Sequence, residues 1–195
     1  MRERRRTPGR HDAFALRVSL RHIEPAIWRR IRVPAAVSLA ALHEILQVSF
    51  GWQNTHLHDF TVEGLQFATP HVEDEIFVID ERATPLGAIA REGSTFLYRY
   101  DFGDDWEHDL FAERLLDGGG NPSIACLAGE RAGPPDDSGG GPGYQRMLEI
   151  LADPKHEEHA DIRDWIGKRF DAEAFDVGAL NKKLATLARR LARAR

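Results

Sequence analysis

A chain of 195 residues with 42% hydrophobic and 29% charged content has the composition of an ordinary globular protein with room for a sizeable core. Its single cysteine, Cys126, excludes an intramolecular disulfide and a cysteine-based zinc cage, and no apolar run approaches the ~18 residues of a membrane span. The arginine-rich start has no apolar stretch behind it, unlike a secretory signal, so a cytoplasmic protein without membrane contact is expected.

The net charge of −5 is unevenly spread. Residues 1–12 carry +3 and residues 182–195 carry +6, which leaves −14 on the body between them. An acidic body is a poor grip for nucleic acid. Only the basic termini offer a weak contact with phosphate, and a solvated arm and helix face is the simpler reading.

Residues 1–12 lack apolar periodicity and read as a flexible basic arm, followed by a single domain over 13–187 and the basic end of a last helix over 188–195. Phe14, Leu16, Val18 and Leu20 alternate with polar or small residues, the period of a half-buried strand. After Pro25, Ile27, Arg29, Ile31 and Val33 suggest a second strand, antiparallel to the first, with arginines on its exposed positions. Ser38 suits an N-cap, Leu39, Leu42, Ile45, Leu46 and Phe50 follow at helical spacing, and Gly51 suits the position after the helix. His43 borders that stripe and reads as a packed residue. His56-Leu57-His58-Asp59-Phe60 leads into a strand turning at Gly64, and alternation would put His56 and His58 on one face, within reach of one metal ion. Residues 71–82 read as a short acidic strand region, and Pro85 to Arg91 as a turn or two of helix.

The densest stretch is Tyr98 to Phe111. Two alternating runs flank Phe102-Gly103-Asp104-Asp105, which has turn chemistry, so a hairpin is expected. Asp101, Asp104, Asp105, Glu107 and Asp109 crowd around His108, whose face also carries Trp106 and Leu110. His108 therefore reads as a residue of a pocket edge or of the core. From Asp117 to Gly143 the clustered Gly, Pro and Asp read as loop. No lysine follows those glycines, unlike a P-loop, and Asp136 and Asp137 oppose an anion there. Cys126 reads as a buried structural thiol. Tyr144 to Leu151 and 156–167 read as helices. His156-Glu-Glu-His159 lacks the four-residue spacing of a zinc-protease helix. Asp176 suits the cap of a last helix in which Val177, Leu180, Leu184, Leu187 and Leu191 form one apolar stripe, docked on the body or on a protein partner.

Trp28-Arg-Arg-Ile31, Phe50-Gly-Trp52, His56-Leu-His58, Tyr100-Asp-Phe-Gly-Asp-Asp-Trp-Glu-His108, Cys126-Leu-Ala-Gly129, Pro134-Pro-Asp-Asp-Ser-Gly-Gly140 and Gly143-Tyr144 together resemble the Ri-plasmid ORF-three-like domain family. The resemblance is collinear over about residues 13–187, with Pro-Pro-Asp-Asp where the family usually has Pro-Pro-Glu-Asp. It implies an α+β fold of plasmid or mobile-element occurrence and no reaction; the acidic body, basic ends, docking-type last helix and lack of a complete catalytic motif suit a binding or accessory domain. The fold expected is α+β, a mostly antiparallel sheet with packed helices and a C-terminal helical segment.

The alternative function is a metal-dependent hydrolase, with a nuclease among its forms, built from the HLHDF, DFGDDWEH and PPDDSGG segments. His58, His108, Asp104 and Asp137 would hold a divalent ion that activates a water. His56, Asp101, Asp105, Trp106, Asp136 and Tyr144 would complete the pocket. Against this stands the reading in which the same residues only fasten turns and fill the core.

Overall fold

The computed structural model describes residues 12–70, 77–117 and 123–193. Eight strands form one sheet: β1 (Asp12–Leu20), β2 (Trp28–Pro34), β3 (His58–Val62), β4 (Leu65–Ala68), β5 (Ile79–Asp80), β6 (Thr95–Tyr100), β7 (Trp106–Asp117) and β8 (Ala125–Glu130). Their order is β5-β4-β3-β6-β7-β1-β2-β8, and only the β4–β5 pair is parallel. Helices α1 (Leu39–Phe50), α2 (Leu86–Ile89), α3 (Gly140–Ala152), α4 (His159–Ile166) and α5 (Val177–Arg193) complete an α+β fold. No described helix is long and apolar enough to cross a membrane.

Strand alternation divides the sheet into two unlike faces. One carries Phe14, Leu16, Val18, Ile31, Phe60, Tyr98 and Leu110, all fully buried in one continuous core. The other carries paired charges: Arg30 with Glu113, Arg21 with Glu107 and Asp109, and Arg99 with Asp59. Helix α1 covers the apolar face. It starts where the Ser38 hydroxyl accepts the Ala41 N–H and ends at Gly51, whose φ of 88° suits glycine. Leu39, Leu42, Ile45, Leu46 and Phe50 are its buried stripe.

Helix α5 is capped by Asp176, which accepts the Ala179 N–H at 2.9 Å. Leu180, Leu184 and Leu187 are buried against the body, where α5 meets α1 and β8, and Arg190 pairs with Glu44. The apolar stripe expected to serve the body or a partner is thus used within the chain.

Several local expectations differ from the structure. Arg29 lies on the core-facing side of β2, alternating with Trp28 and Arg30, and is buried rather than exposed. The span 117–143 is not all loop: Ala125–Glu130 is an edge strand on β2, held from outside by Asn181, and α3 begins at Gly140 rather than Tyr144. The helix read over 156–167 is confined to His159–Ile166, because the side chains of Asp153 and His156 bond the N–H groups of Lys155 and Glu158 in turns. Of the strand region at 71–82, β5 is Ile79–Asp80, and residues 71–76 lie outside the described set. Strand β1 starts at Asp12, inside the span read as arm; the rest of that arm is also outside the described residues.

Candidate functional site

The β6–β7 hairpin turns through Asp101 and Asp105, both in the left-handed region at φ 58° and 56°. Aspartate tolerates this region because its short side chain can bond nearby backbone. Asp101 does so: its Oδ1 accepts the N–H groups of Gly103 at 2.9 Å and Asp104 at 3.3 Å. Its own N–H donates to Leu57 O at 2.8 Å, joining the turn to the segment that enters β3.

The loop before α3 closes onto this turn. Asp104 Oδ2 accepts the Gly139 N–H at 3.0 Å, and Gly140 packs so tightly that a Cβ there would lie 2.4 Å from Asp104 O. Asp136 accepts from Gln53 N–H at 2.9 Å and from the Tyr100 hydroxyl at 3.2 Å, while Trp52 Nε1 donates to Pro134 O at 2.9 Å. The same loop is therefore tied to the hairpin, to β6 and to the end of α1.

These fastenings bring three motif segments to one point. His56 Nε2 stands 3.1 Å from Asp137 Oδ1 and 3.6 Å from Asp101 Oδ2. Ligand atoms of the three residues lie within 4.8 Å of one another. Two atoms bound to one ion at about 2.1 Å can stand up to about 4.2 Å apart, so both histidine–carboxylate separations suit a shared ion. His56 Nε2 is enclosed yet makes no aligned hydrogen bond, whereas the Asp137 side chain is 70% exposed and leaves one side open.

His58 occupies a neighbouring, separate network. Its Nε2–H donates to Glu81 Oε2 at 2.9 Å, and Thr69 donates to the other Glu81 oxygen at 2.7 Å. Glu81 is 1% exposed; burial alone would raise its pKa, but the hydrogen bonds from His58 and Thr69 and the nearby histidines hold it below the usual range. The His58 ring stacks on His43 with centroids 3.4 Å apart and planes within 4°. His43 is neutral: Nε2–H donates to Asn54 Oδ1 at 2.6 Å, and Nδ1 accepts from the Tyr98 hydroxyl at 2.8 Å, which itself accepts from Gln47. Burial and the facing His58 push the His43 pKa down to about 4.

His108 is fully enclosed against Phe50, Trp52 and Tyr98. Its Nδ1–H donates to Trp106 O at 3.0 Å, Nε2 has no hydrogen-bond partner among the described residues, and burial pushes its pKa down to about 3. Trp106 Nε1 and the Tyr144 hydroxyl are likewise buried and unbonded, their rings meeting edge to face at 6.5 Å. Asp105 lies 3.9 Å from Arg99. The structure thus gathers His56, Asp101 and Asp137 in one group. It gives His58 to Glu81, His108 to the interior, Asp104 to the Gly139 amide and Asp136 to Gln53 and Tyr100.

Residues 12–179 match the family described as plasmid pRiA4b ORF-3-like protein. The chain belongs to this family. The uncharacterized protein y4hQ of Sinorhizobium fredii (strain NBRC 101917 / NGR234) is 40% identical over 181 residues, covering 91% of this chain and 93% of the relative. The crystal structure of the protein of unknown function MM3350 from Methanosarcina mazei Go1 superposes with a TM-score of 0.78 at 34% identity, covering 86% of this chain and 97% of that one. Every residue of the His56 group and of the His43–His58–Glu81 network falls inside the span matched to the pRiA4b ORF-3-like family. Glu81 sits beyond an acidic run with no clear period, so nothing in its local sequence marks it. His43 was read only as a packed neighbour of the α1 stripe. The signal for both was the burial of α1 against an aromatic strand, which needs the fold.

Proposed function

We propose that this pRiA4b ORF-3-like chain is a binding domain that takes a divalent cation at His56, Asp101 and Asp137. The observation that carries the reading is the enclosed, unbonded His56 Nε2 set between two carboxylates from two other segments. One imidazole with two carboxylates suits a first-row ion such as Zn²⁺ or Mn²⁺ better than Ca²⁺. Asp104, Asp105 and Asp136 add negative charge around it, which favours a cation further.

A second reading has its own support. Three protein ligands with an open side leave a position for water, and the Glu81–His58 pair next to it presents an imidazole whose Nε2 proton is already committed to a carboxylate. Metal-assisted hydrolysis would use this arrangement.

Calorimetric titration of chelator-treated protein with Zn²⁺ and Mn²⁺ tests the proposal. One ion per chain is expected, with affinity at least about tenfold weaker in both His56→Ala and Asp101→Asn. Asparagine keeps the Oδ1 bonds to Gly103 and Asp104, so the second variant changes charge and leaves the turn intact. Wild-type affinity retained in both variants would remove the site. Turnover of phosphodiesters or carboxylic esters only with the ion present would favour the hydrolytic reading.

A further inference from the structure

A cleft of about 370 Å³ lies between the end of α1, residues 132–135 and the start of α5. Arg29 on its wall is only 2% exposed. Its Nε donates to Ser49 O at 2.9 Å, and its Nη1 donates to Trp28 O at 2.8 Å and Glu130 O at 2.7 Å. All three acceptors are neutral carbonyls. The remaining terminal nitrogen, Nη2, has no hydrogen-bond partner among the described residues. The guanidinium is held between rings, 5.0 Å from the centroid of Phe50 and 4.3 Å from that of Phe175.

The contrast with the other arginines is informative. Arg21, Arg30, Arg99 and Arg131 each reach a carboxylate, and all but Arg131 are far more exposed than Arg29. Of the two buried arginines among the described residues, Arg131 meets Glu173 and Arg29 meets no described acid. A buried cation normally has a counter-charge, because its loss of hydration is only partly replaced by neutral dipoles and ring faces. Lys183 stands on the same wall, and the one acid there, Asp176, is engaged in capping α5. The other walls are apolar, among them Phe170, Phe175 and Ile166. The size falls in the range of small-ligand pockets.

We infer that this cleft binds a small organic monocarboxylate with an apolar body, its carboxylate accepting from Arg29 Nη2 and Lys183 and its body lying against Phe170, Phe175 and Ile166. One guanidinium nitrogen and one ammonium group match a single carboxylate, and neither wall supplies the further donors a phosphate dianion would want. Burial pushes the Arg29 pKa down to about 10, so the guanidinium stays charged at neutral pH.

The test uses the full chain after chelator treatment, so that an acid bound to a metal at His56 does not count. Benzoate, phenylacetate and the neutral benzamide serve as probes in ligand-observed NMR titration. Saturable binding of the two acids is expected, with benzamide at least about tenfold weaker, since the discrimination rests on the charged hydrogen bonds from Arg29 and Lys183. Because removing Arg29 itself disturbs the fold, the site is addressed through Lys183→Glu, which reverses a rim charge, and Ala179→Trp, which fills the mouth from an exposed helix position. Each variant should weaken acid binding at least about fivefold while wild-type circular dichroism is kept. No saturable binding of either acid, equal binding of benzamide, or acid binding unchanged in both variants would each overturn the assignment.

Discussion

The segment from Gly133 to Asp137 touches two places whose electrostatics are opposite. At its far end, the exposed Asp137 stands with the buried Asp101 beside His56, and Asp136 ties the loop to Gln53 and Tyr100. At its near end, Gly133, Pro134 and Pro135 wall the cleft in which Arg29 is buried among rings and carbonyls. An exposed carboxylate such as Asp137 is hydrated until a cation arrives, so it needs little from the fold. A buried guanidinium must be solvated by the protein at all times. The difference teaches that Arg29 is both architecture and binding group, whereas the exposed Asp137 can be altered with little structural penalty.

The largest effect is therefore expected at Arg29. Arg29→Met would leave the carbonyls of Ser49, Trp28 and Glu130 buried without donors, and a loss of roughly 3–5 kcal/mol in urea unfolding follows. Asp137→Asn, at the other end, should leave the urea midpoint almost unchanged. Equal losses in the two variants would erase the contrast.

Acid comes next, and it acts on the layer beneath the acidic end. An unfolded histidine binds a proton near pH 6.5, while His43 resists protonation to about 4 and His108 to about 3. The unfolded chain thus binds more protons between those limits. Stability is full above about pH 7 and falls as the pH drops through 6.5 towards 4, with His43 alone contributing on the order of 3 kcal/mol. Glu81, held below its usual range, adds to the loss at lower pH as it is protonated. Urea midpoints should stay level from pH 8 to about 7 and fall from there to pH 4, and a flat profile in His43→Leu combined with His108→Leu would assign the slope to these rings.

A smaller loss is expected where the two hairpin-side segments meet. Gly140→Ala would put a Cβ 2.4 Å from Asp104 O on a backbone at φ 66°, costing about 1–3 kcal/mol. Because the strain opens the loop that carries Asp137, Zn²⁺ affinity should fall with stability, while benzoate binding near Arg29 should change less. The smallest effect is at Arg30 on the outer sheet face, where Arg30→Ala removes a partly exposed pair with Glu113 worth under about 1 kcal/mol. It should move neither ligand.

The elements with an uninterrupted period were legible from the residues alone. Helix α1 has both caps and its stripe and emerged near its observed bounds, and the β6–β7 hairpin emerged at its Asp-rich turn, although β7 runs on past Phe111 to Asp117. Strand β8 did not. Ala125 to Glu130 is rich in Ala and Gly, which have little intrinsic strand preference, and it is extended because β2 and α5 hold it. Arg29 was placed outside because arginine is rarely buried, although its position two residues from Ile27 and Ile31 put it on the core side. At the candidate site, the three motif segments could be named, but which of their side chains meet depends on left-handed turns at Asp101, Asp105 and Asp137, and these are not encoded in any spacing.

Asn181 gives the sheet an ending. Its Oδ1 accepts the Cys126 N–H at 2.7 Å and its Nδ2 donates to Cys126 O at 3.0 Å, so one side-chain amide bonds the edge strand as a neighbouring peptide group would. A passing strand from another molecule finds that place taken, and to reach it would have to lift α5 with its buried leucines. The opposite edge, β5, is two residues long and offers almost nothing to copy. The molecule thereby resists growth by strand addition at either border, a safeguard against fibrous self-assembly carried largely by a single amide.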